Sequence, residues 1–239
     1  MSIVQALQLF QQEQISFARL IRHIVQQDTW FLPAKDGQPI LRQSKAKRFL
    51  SFYSCADFLQ QEDLYGNDAF EIEVLEKSGY WIAEHLPEAD AIVIDPNQEH
   101  AMQIPQQYFG QIQQMQQAMQ LEFHLQNDMQ SAQIKEILLN HPSYFLGIVQ
   151  DEQGRNNLTL APDNQNRPLV AVFTAQDCLE NFIQAANGML GNIQMDMLSG
   201  IQLFTQLSLL PIEGLVLNCY GPVPPTALRK EFIEQLLQG

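Results

Sequence analysis

Apolar residues along this chain fall into short blocks, each closed by a polar turn, and the blocks come twice in the same order. Trp30-Phe31-Leu32-Pro33-Ala34 runs into Lys35-Asp36-Gly37, and Tyr144-Phe145-Leu146-Gly147-Ile148-Val149 runs toward Asp151-Glu152-Gln153-Gly154. Each block predicts a strand entering a hairpin. Next come Arg48 to Tyr53 and Arg167 to Phe173, both rich in branched or aromatic residues and both read as strands. Each leads into a helix start, where Ser54 with Asp57, and Thr174 with Asp177, supply a capping hydroxyl and an acid for the first turn.

The parallel continues. Ser78-Gly79 opens a helix ending at Leu86-Pro87, and Ser199-Gly200 opens one ending at Leu210-Pro211. Buried strands follow, Ala91 to Asp95 and Gly214 to Asn218, each ending in a residue favoured in turns. Ile104-Pro105 and Val223-Pro224-Pro225 then precede amphipathic segments, Gln106 to Gln120 and Thr226 to Leu237, with proline where a first helical turn tolerates it. Recurrence of every landmark roughly 120 residues later predicts an internal duplication. The expected fold class is α/β (α+β), as two tandem repeats of a small mixed sheet packed with helices.

Boundaries follow from the same pattern. Met1 to Gln27 reads as one long amphipathic helix leading the first repeat, residues 1–128, and Gln133 to Leu139 as the short helix leading the second, 129–239. The Gln-rich stretch Gln111 to Asn127 has Ile112, Met115 and Met119 at helical spacing, which favours a packed helix over a linker. Between the matched landmarks the copies differ. Gln60 to Lys77 is acidic, whereas Asn181 to Met197 is apolar and rich in methionine, so two surfaces with different tasks are expected.

The order of motifs resembles the SseB N-terminal domain family, the bacterial enhanced serine sensitivity proteins. That domain runs strand, polar turn, strand, a "vFTs" strand end with a helix, a Gly-led helix ending in Leu-Pro, and a "vNPg" strand end before a proline-led helix. Phe173-Thr174-Ala175 matches the "FTs" element and Phe52-Tyr53-Ser54 matches it loosely. Ile94-Asp95-Pro96-Asn97 is similar to "vNPg" with Asp for Asn, and Leu217-Asn218 keeps the Asn before continuing into Cys219. A second copy stands where many members carry a different C-terminal region. The family brings no catalytic residues, and none are carried over. Domains of this sort also occur near bacterial toxin systems, so the resemblance implies an immunity partner.

Charge narrows the function classes. With 13 Lys and Arg against 27 Asp and Glu, the formal net charge is −14, which argues against nucleic acid and suits a basic protein partner. No run of residues approaches a membrane span, and three widely spaced cysteines, Cys55, Cys178 and Cys219, fit reduced thiols in the cytoplasm. His23, His85, His100, His124 and His141 are scattered, without the i, i+4 pairing of a helical metal site, and Gly188, Gly191 and Gly200 form no phosphate loop. Neither metal nor cofactor is expected.

Two constellations remain. Cys55 and His85 have the types of a nucleophile and base, although a thiol beside a helix cap more often packs as a small apolar group. Acids cluster in the first insert, where Glu62, Asp63, Tyr65, Asp68, Phe70, Glu71 and Glu73 offer carboxylates interleaved with aromatic anchors for a basic surface. These seven are the expected partner-binding residues. Met189, Met195 and Met197 are expected in the core rather than on an adaptable surface. The resulting expectation is a non-enzymatic acidic cytoplasmic protein that binds and neutralises a basic toxin. The alternative is a regulatory or small-molecule-binding protein linked to amino-acid (serine) metabolism. The oligomeric state is left open.

Overall fold

The computed structural model describes residues 1–44, 46–61, 72–86, 89–129, 133–162, 167–186 and 193–238. These residues form an α+β protein of two compact units, Met1–Gln116 and Gln117–Gly239. The first contains α1 (Ile3–Gln11), α2 (Phe17–Gln26), β1 (Trp30–Lys35), β2 (Gln38–Pro39), β3 (Leu41–Ser44), β4 (Lys47–Phe52), α3 (Ala56–Gln61), β5 (Glu73–Lys77), α4 (Gly79–Glu84), β6 (Ala91–Ile94) and β7 (Met102–Pro105). A 3-10 turn then leads into α5 (Phe109–Asn127), and the division between the units falls inside that helix. The second contains α6 (Gln133–Asn140), β8 (Tyr144–Gln150), β9 (Asn156–Leu158), β10 (Leu160–Pro162), β11 (Pro168–Phe173), α7 (Gln176–Ala186), β12 (Ile193–Leu198), α8 (Gly200–Ser208), β13 (Gly214–Leu217), β14 (Thr226–Arg229) and α9 (Lys230–Leu237).

Strand pairing follows the same scheme in each unit. In the first, β1 pairs antiparallel with β2 and β5, β4 pairs antiparallel with β3 and parallel with β6, and β6 pairs antiparallel with β7. In the second, β8 takes β9 and β12, β11 takes β10 and β13, and β13 takes β14, each in the same sense. The join between the two halves of each sheet is weaker in the first unit. It is a two-pair ladder in the second, Val172 to Leu146 and Phe173 to Phe145, but a single bridge from Phe31 to Tyr53 in the first.

Burial explains why the alternating blocks become strands. One face of the second sheet places Tyr144, Leu146, Val170, Val172, Leu215, Leu217 and Leu228 against Leu121, Leu125, Ile134, Leu138, Leu203, Phe204 and Ile233 of the helices, all buried. Covering each such side chain contributes about 1.5–3 kcal/mol, which offsets the ordering of the strands. In the first unit Trp30, Leu32, Leu50, Phe52, Ile92, Ile94 and Ile104 are buried equally well. Buried aromatics also carry their polar ends to helix carbonyls at equivalent places. Trp30 Nε1 donates to Ile24 C=O at 3.2 Å, and the Tyr144 hydroxyl donates to Leu138 C=O at 3.0 Å.

The helix that follows each edge strand starts where no side chain fits. A β-carbon on Gly79 would lie 2.2 Å from Ile24 C=O, and one on Gly200 would lie 2.2 Å from Leu138 C=O. Both glycine amides donate back to the chain after the leading helix, Gly79 to Gln27 C=O and Gly200 to His141 C=O, each at 2.8 Å. Ser78 and Ser199 cap these helices as the sequence predicts, accepting from Trp81 N and Gln202 N.

Several expectations change. The long leading helix is two helices, because Glu13 adopts φ 57° after α1 and the Ser16 hydroxyl caps α2 by accepting from Arg19 N. Thr226 to Arg229 is strand rather than helix, held along β13. Both inserts end in edge strands, β5 and β12. The Ser54 hydroxyl turns to Asp95 at the end of β6, and the Thr174 hydroxyl to Glu122 of α5 and Asn218 at the end of β13, instead of capping α3 and α7. The hairpins match the reading: Asp36 and Gly37 take φ 51° and 71°, as a two-residue turn between antiparallel strands requires. Among the described residues no helix is long and apolar enough to cross a membrane.

Gly79→Ala and Gly200→Ala should each cost about 3 kcal/mol, since the clash is with backbone that cannot swing aside. Urea denaturation of the two variants checks this, and near-wild-type midpoints would show that the helix starts are not held so closely.

Candidate functional site

At the end of β6, Asp95 takes φ 45° and turns its buried carboxylate back across the sheet. It accepts from Ser54 N at 2.6 Å, the Ser54 hydroxyl at 2.6 Å and His100 Nε2 at 2.9 Å. At the equivalent end of β13, Asn218 takes φ 57°, accepts from Thr174 N at 2.9 Å and donates Nδ2 to the Thr174 hydroxyl at 2.9 Å. The Thr174 hydroxyl donates onward to Glu122 at 2.6 Å, and Cys178 Sγ lies 3.6 Å from the same oxygen.

Ser54, Asp95 and His100 have the residue types of an acyl-transfer triad, but their order excludes that use. A serine nucleophile needs the imidazole between hydroxyl and carboxylate, so that the ring takes the hydroxyl proton. Here the carboxylate stands in the middle and holds both neighbours. The arrangement ties the end of β4 to the end of β6, and Asn218 does the same for β11 and β13.

Cys55 and His85 are spent separately. His85 stacks on Trp81 at 4.5 Å, with Nδ1 2.9 Å from Trp81 C=O, while Cys55 is half-buried two residues before Asp57. Cys178 and Cys219 are buried, and burial pushes the Cys219 thiol up to about 12. Faster labelling of Cys55 than of the other two would therefore follow from exposure alone.

Of the seven expected partner-binding residues, Glu62, Asp63, Tyr65, Asp68, Phe70 and Glu71 lie outside the described residues. Glu73 is exposed at the start of β5, where its carboxylate accepts from Gly37 N at 3.1 Å and braces the first hairpin. Met189 also lies outside the described residues. Met195 and Met197 are exposed, at 53% and 52%, not in the core as expected. Their strand, Ile-Gln-Met-Asp-Met-Leu, alternates apolar and polar residues, and that period of two is the signal from which it could have been found.

One concave surface of the first unit, among the described residues, lies where α1 and α2 meet β7. Phe10, Phe17, Met102, Gln103, Ile104, Pro105 and Tyr108 line an apolar cleft of about 300 Å³. Its aromatic wall is ordered by ring contacts, tilted between Phe17 and Phe10 at 5.7 Å and edge-on between Phe17 and Tyr108 at 5.1 Å, and all three rings are half-buried. A second, polar cleft of about 310 Å³ is lined by Gln8, Gln11, Gln12, Glu99 and His100. Ala101 separates the two sets of lining residues along the chain, and Gln11 Nε2 donates to its carbonyl at 3.3 Å. Together they offer an apolar recess beside amides, a carboxylate and an imidazole. The break after α1, which the sequence reading did not foresee, is what brings Phe10 and Phe17 together.

His141 supplies a pH test of the second unit. Burial holds its imidazole below the ordinary value, against smaller upward pulls from Thr174 C=O, Ser143 and Glu122. The folded state therefore keeps the ring neutral, so this contribution is complete above about pH 6.5 and is lost as pH falls through the lowered folded value. Thermal melts from about pH 7.5 to 5.5 should fall more steeply for the wild type than for His141→Gln. Parallel curves would show that the ring is not held neutral.

Comparisons with known proteins find no matching family model and no matching curated protein. Among solved structures, Tic22 of Anabaena, described as a protein of protein transport, is 10% identical, with 82% of this chain and 88% of that chain covered at a TM-score of 0.25. Tic22 from Plasmodium falciparum is 12% identical over 77% of this chain and 84% of that one, at a TM-score of 0.21. Similarity at that level assigns no role.

Proposed function

We propose that this is a non-enzymatic cytoplasmic protein-binding protein, built from two diverged copies of one α+β unit, whose first unit takes its partner at the clefts beside β7. The observation that carries this is the pairing of an aromatic recess with a polar one, Phe10, Phe17 and Tyr108 next to Gln11, Glu99 and His100. Interfaces are dominated by a few anchors that fill a pocket while neighbouring polar groups fix orientation. An aliphatic or aromatic side chain fits the first recess, and an amide or cation beside it meets Glu99 and the glutamines.

The net charge of −14 favours a basic partner through long-range attraction, and the acids at 62–71 add to it. The resemblance to SseB-type domains makes a basic toxin the first partner class to try. The duplication is supported by the shared pairing scheme, the equivalent contacts of Gly79 and Gly200, and the Asp95 and Asn218 strand ends.

A pull-down from the native host, with the product of the neighbouring gene as first candidate, tests the reading. Tyr108→Ala and Glu99→Lys should each weaken capture roughly thirtyfold, the effect of losing about 2 kcal/mol at an anchor. Capture unaffected by both would remove the clefts from the interface. A second reading, a small-molecule site, is favoured by the recess volume, which is at the low end for ligand pockets. Stabilisation by a metabolite in a thermal-shift screen, lost in Tyr108→Ala, would select it.

A further inference from the structure

Strand β12 ends its sheet and, among the described residues, pairs with β8 alone. Thr159 N–H donates to Gly147 C=O at 2.9 Å, so the Gly147 backbone points away from β12. Antiparallel ladders alternate, so Phe145 and Val149 point the same way, while Tyr144, Leu146 and Ile148 face β12. Their partners Leu198, Asp196 and Gln194 take those bonds. Ile193, Met195 and Met197 therefore present N–H and C=O outward. The Asp196 carboxylate confirms the direction, since it accepts from Met197 N at 2.8 Å.

The side chains of the same three residues share one face, opposite Val149, Gly147 and Phe145. Edges of this kind are ordinarily blunted by proline, by charge or by shortness. The other described edges carry those devices: β2 has Pro39, β3 Arg42, β5 Glu73, Glu76 and Lys77, β7 Pro105, β14 Arg229, while β9 and β10 have three residues each. β12 has six residues, no proline, a single charge in Asp196 and two exposed methionines.

We propose that a second copy of the chain docks here, β12 against β12, antiparallel about a twofold axis at Met195. Outward-facing residues must oppose outward-facing residues, which leaves few symmetric registers. Centring on Asp196 would set two carboxylates directly opposite each other, and like charges so placed are destabilising. Centring on Gln194 would lay Met197 beyond the start of the partner strand. Centring on Met195 pairs Met195 with its copy, Ile193 with Met197, and Gln194 with Asp196, so the strand's one charge meets an amide donor. The six apolar side chains then form one row across the axis, and methionine adapts readily to such a seam. The Asp196 carboxylate occupies the Met197 N–H until the partner's Ile193 carbonyl replaces it.

This association uses residues of the second unit only and stands apart from the cleft reading. Sedimentation velocity of the full chain decides it. A dimer is expected at about 100 μM, stronger at about 0.3 M than at 0.05 M salt because screening relieves repulsion between two acidic chains. Met195→Pro removes an outward N–H without touching the β8 ladder and should give a monomer with an unchanged circular dichroism spectrum. Met195→Lys with Met197→Lys should do the same should the proline variant misfold. In a Cys55→Ser background, Met195→Cys should form a disulfide-linked dimer under mild oxidation, while Asp196→Cys should not. A chain that stays monomeric in high salt overturns the proposal, as does a dimer indifferent to the Met195 variants or one linked through position 196.

Discussion

Each unit depends on a place where a helix backbone rests directly on carbonyl oxygens of an earlier helix. With 2.2 Å between a hypothetical β-carbon and that oxygen, only glycine can stand at 79 and 200. The contact sets the angle of α4 and α8, and these helices join the edge strand to the central parallel strand. Ser78 and Ser199 hold the first turn in place, so the edge strand before it and the strand after it are positioned together. The carboxylate of Asp95 and the amide of Asn218 then close the parallel pair from the other end.

Most of this architecture was legible in the chain. Blocks such as Tyr144 to Val149 and Leu169 to Phe173 declare themselves because both faces of those strands are buried, and a buried strand is apolar throughout. The edge strands were missed for the converse reason. β5 reads Glu-Val-Leu-Glu-Lys and β12 alternates methionine with polar groups, so neither looks like a buried run. The capping roles given to Ser54 and Thr174 failed because tertiary partners, invisible along the chain, outcompeted the local amides. The break at Glu13 was hidden by the run Gln11-Gln12-Glu13-Gln14, all good helix formers, and with it the recess beside β7 was invisible too.

Corresponding places in the two pairing schemes carry different groups. Where β5 sets Glu76 opposite Phe31, β12 sets Met197 opposite Phe145. Where β6 ends in an acid that engages an imidazole, β13 ends in an amide that engages Glu122 through a threonine hydroxyl. The shared scaffold tolerates this because an isosteric swap of carboxylate for amide keeps the acceptor that holds the neighbouring strand, while the remaining atom finds whatever donor or acceptor lies behind it.

The long helix α5 bears on how the protein can be dissected. Leu121 and Leu125 belong to the core of the second unit, and Glu122 lies under Thr174 and Asn218. A fragment begun just after Asn127, where the sequence alone invites a cut, would leave an uncovered strip of sheet and take Glu122 away from the Thr174 hydroxyl, which would keep only Asn218 as acceptor. Excision for separate study has to begin upstream, within the helix itself, and accept a frayed end.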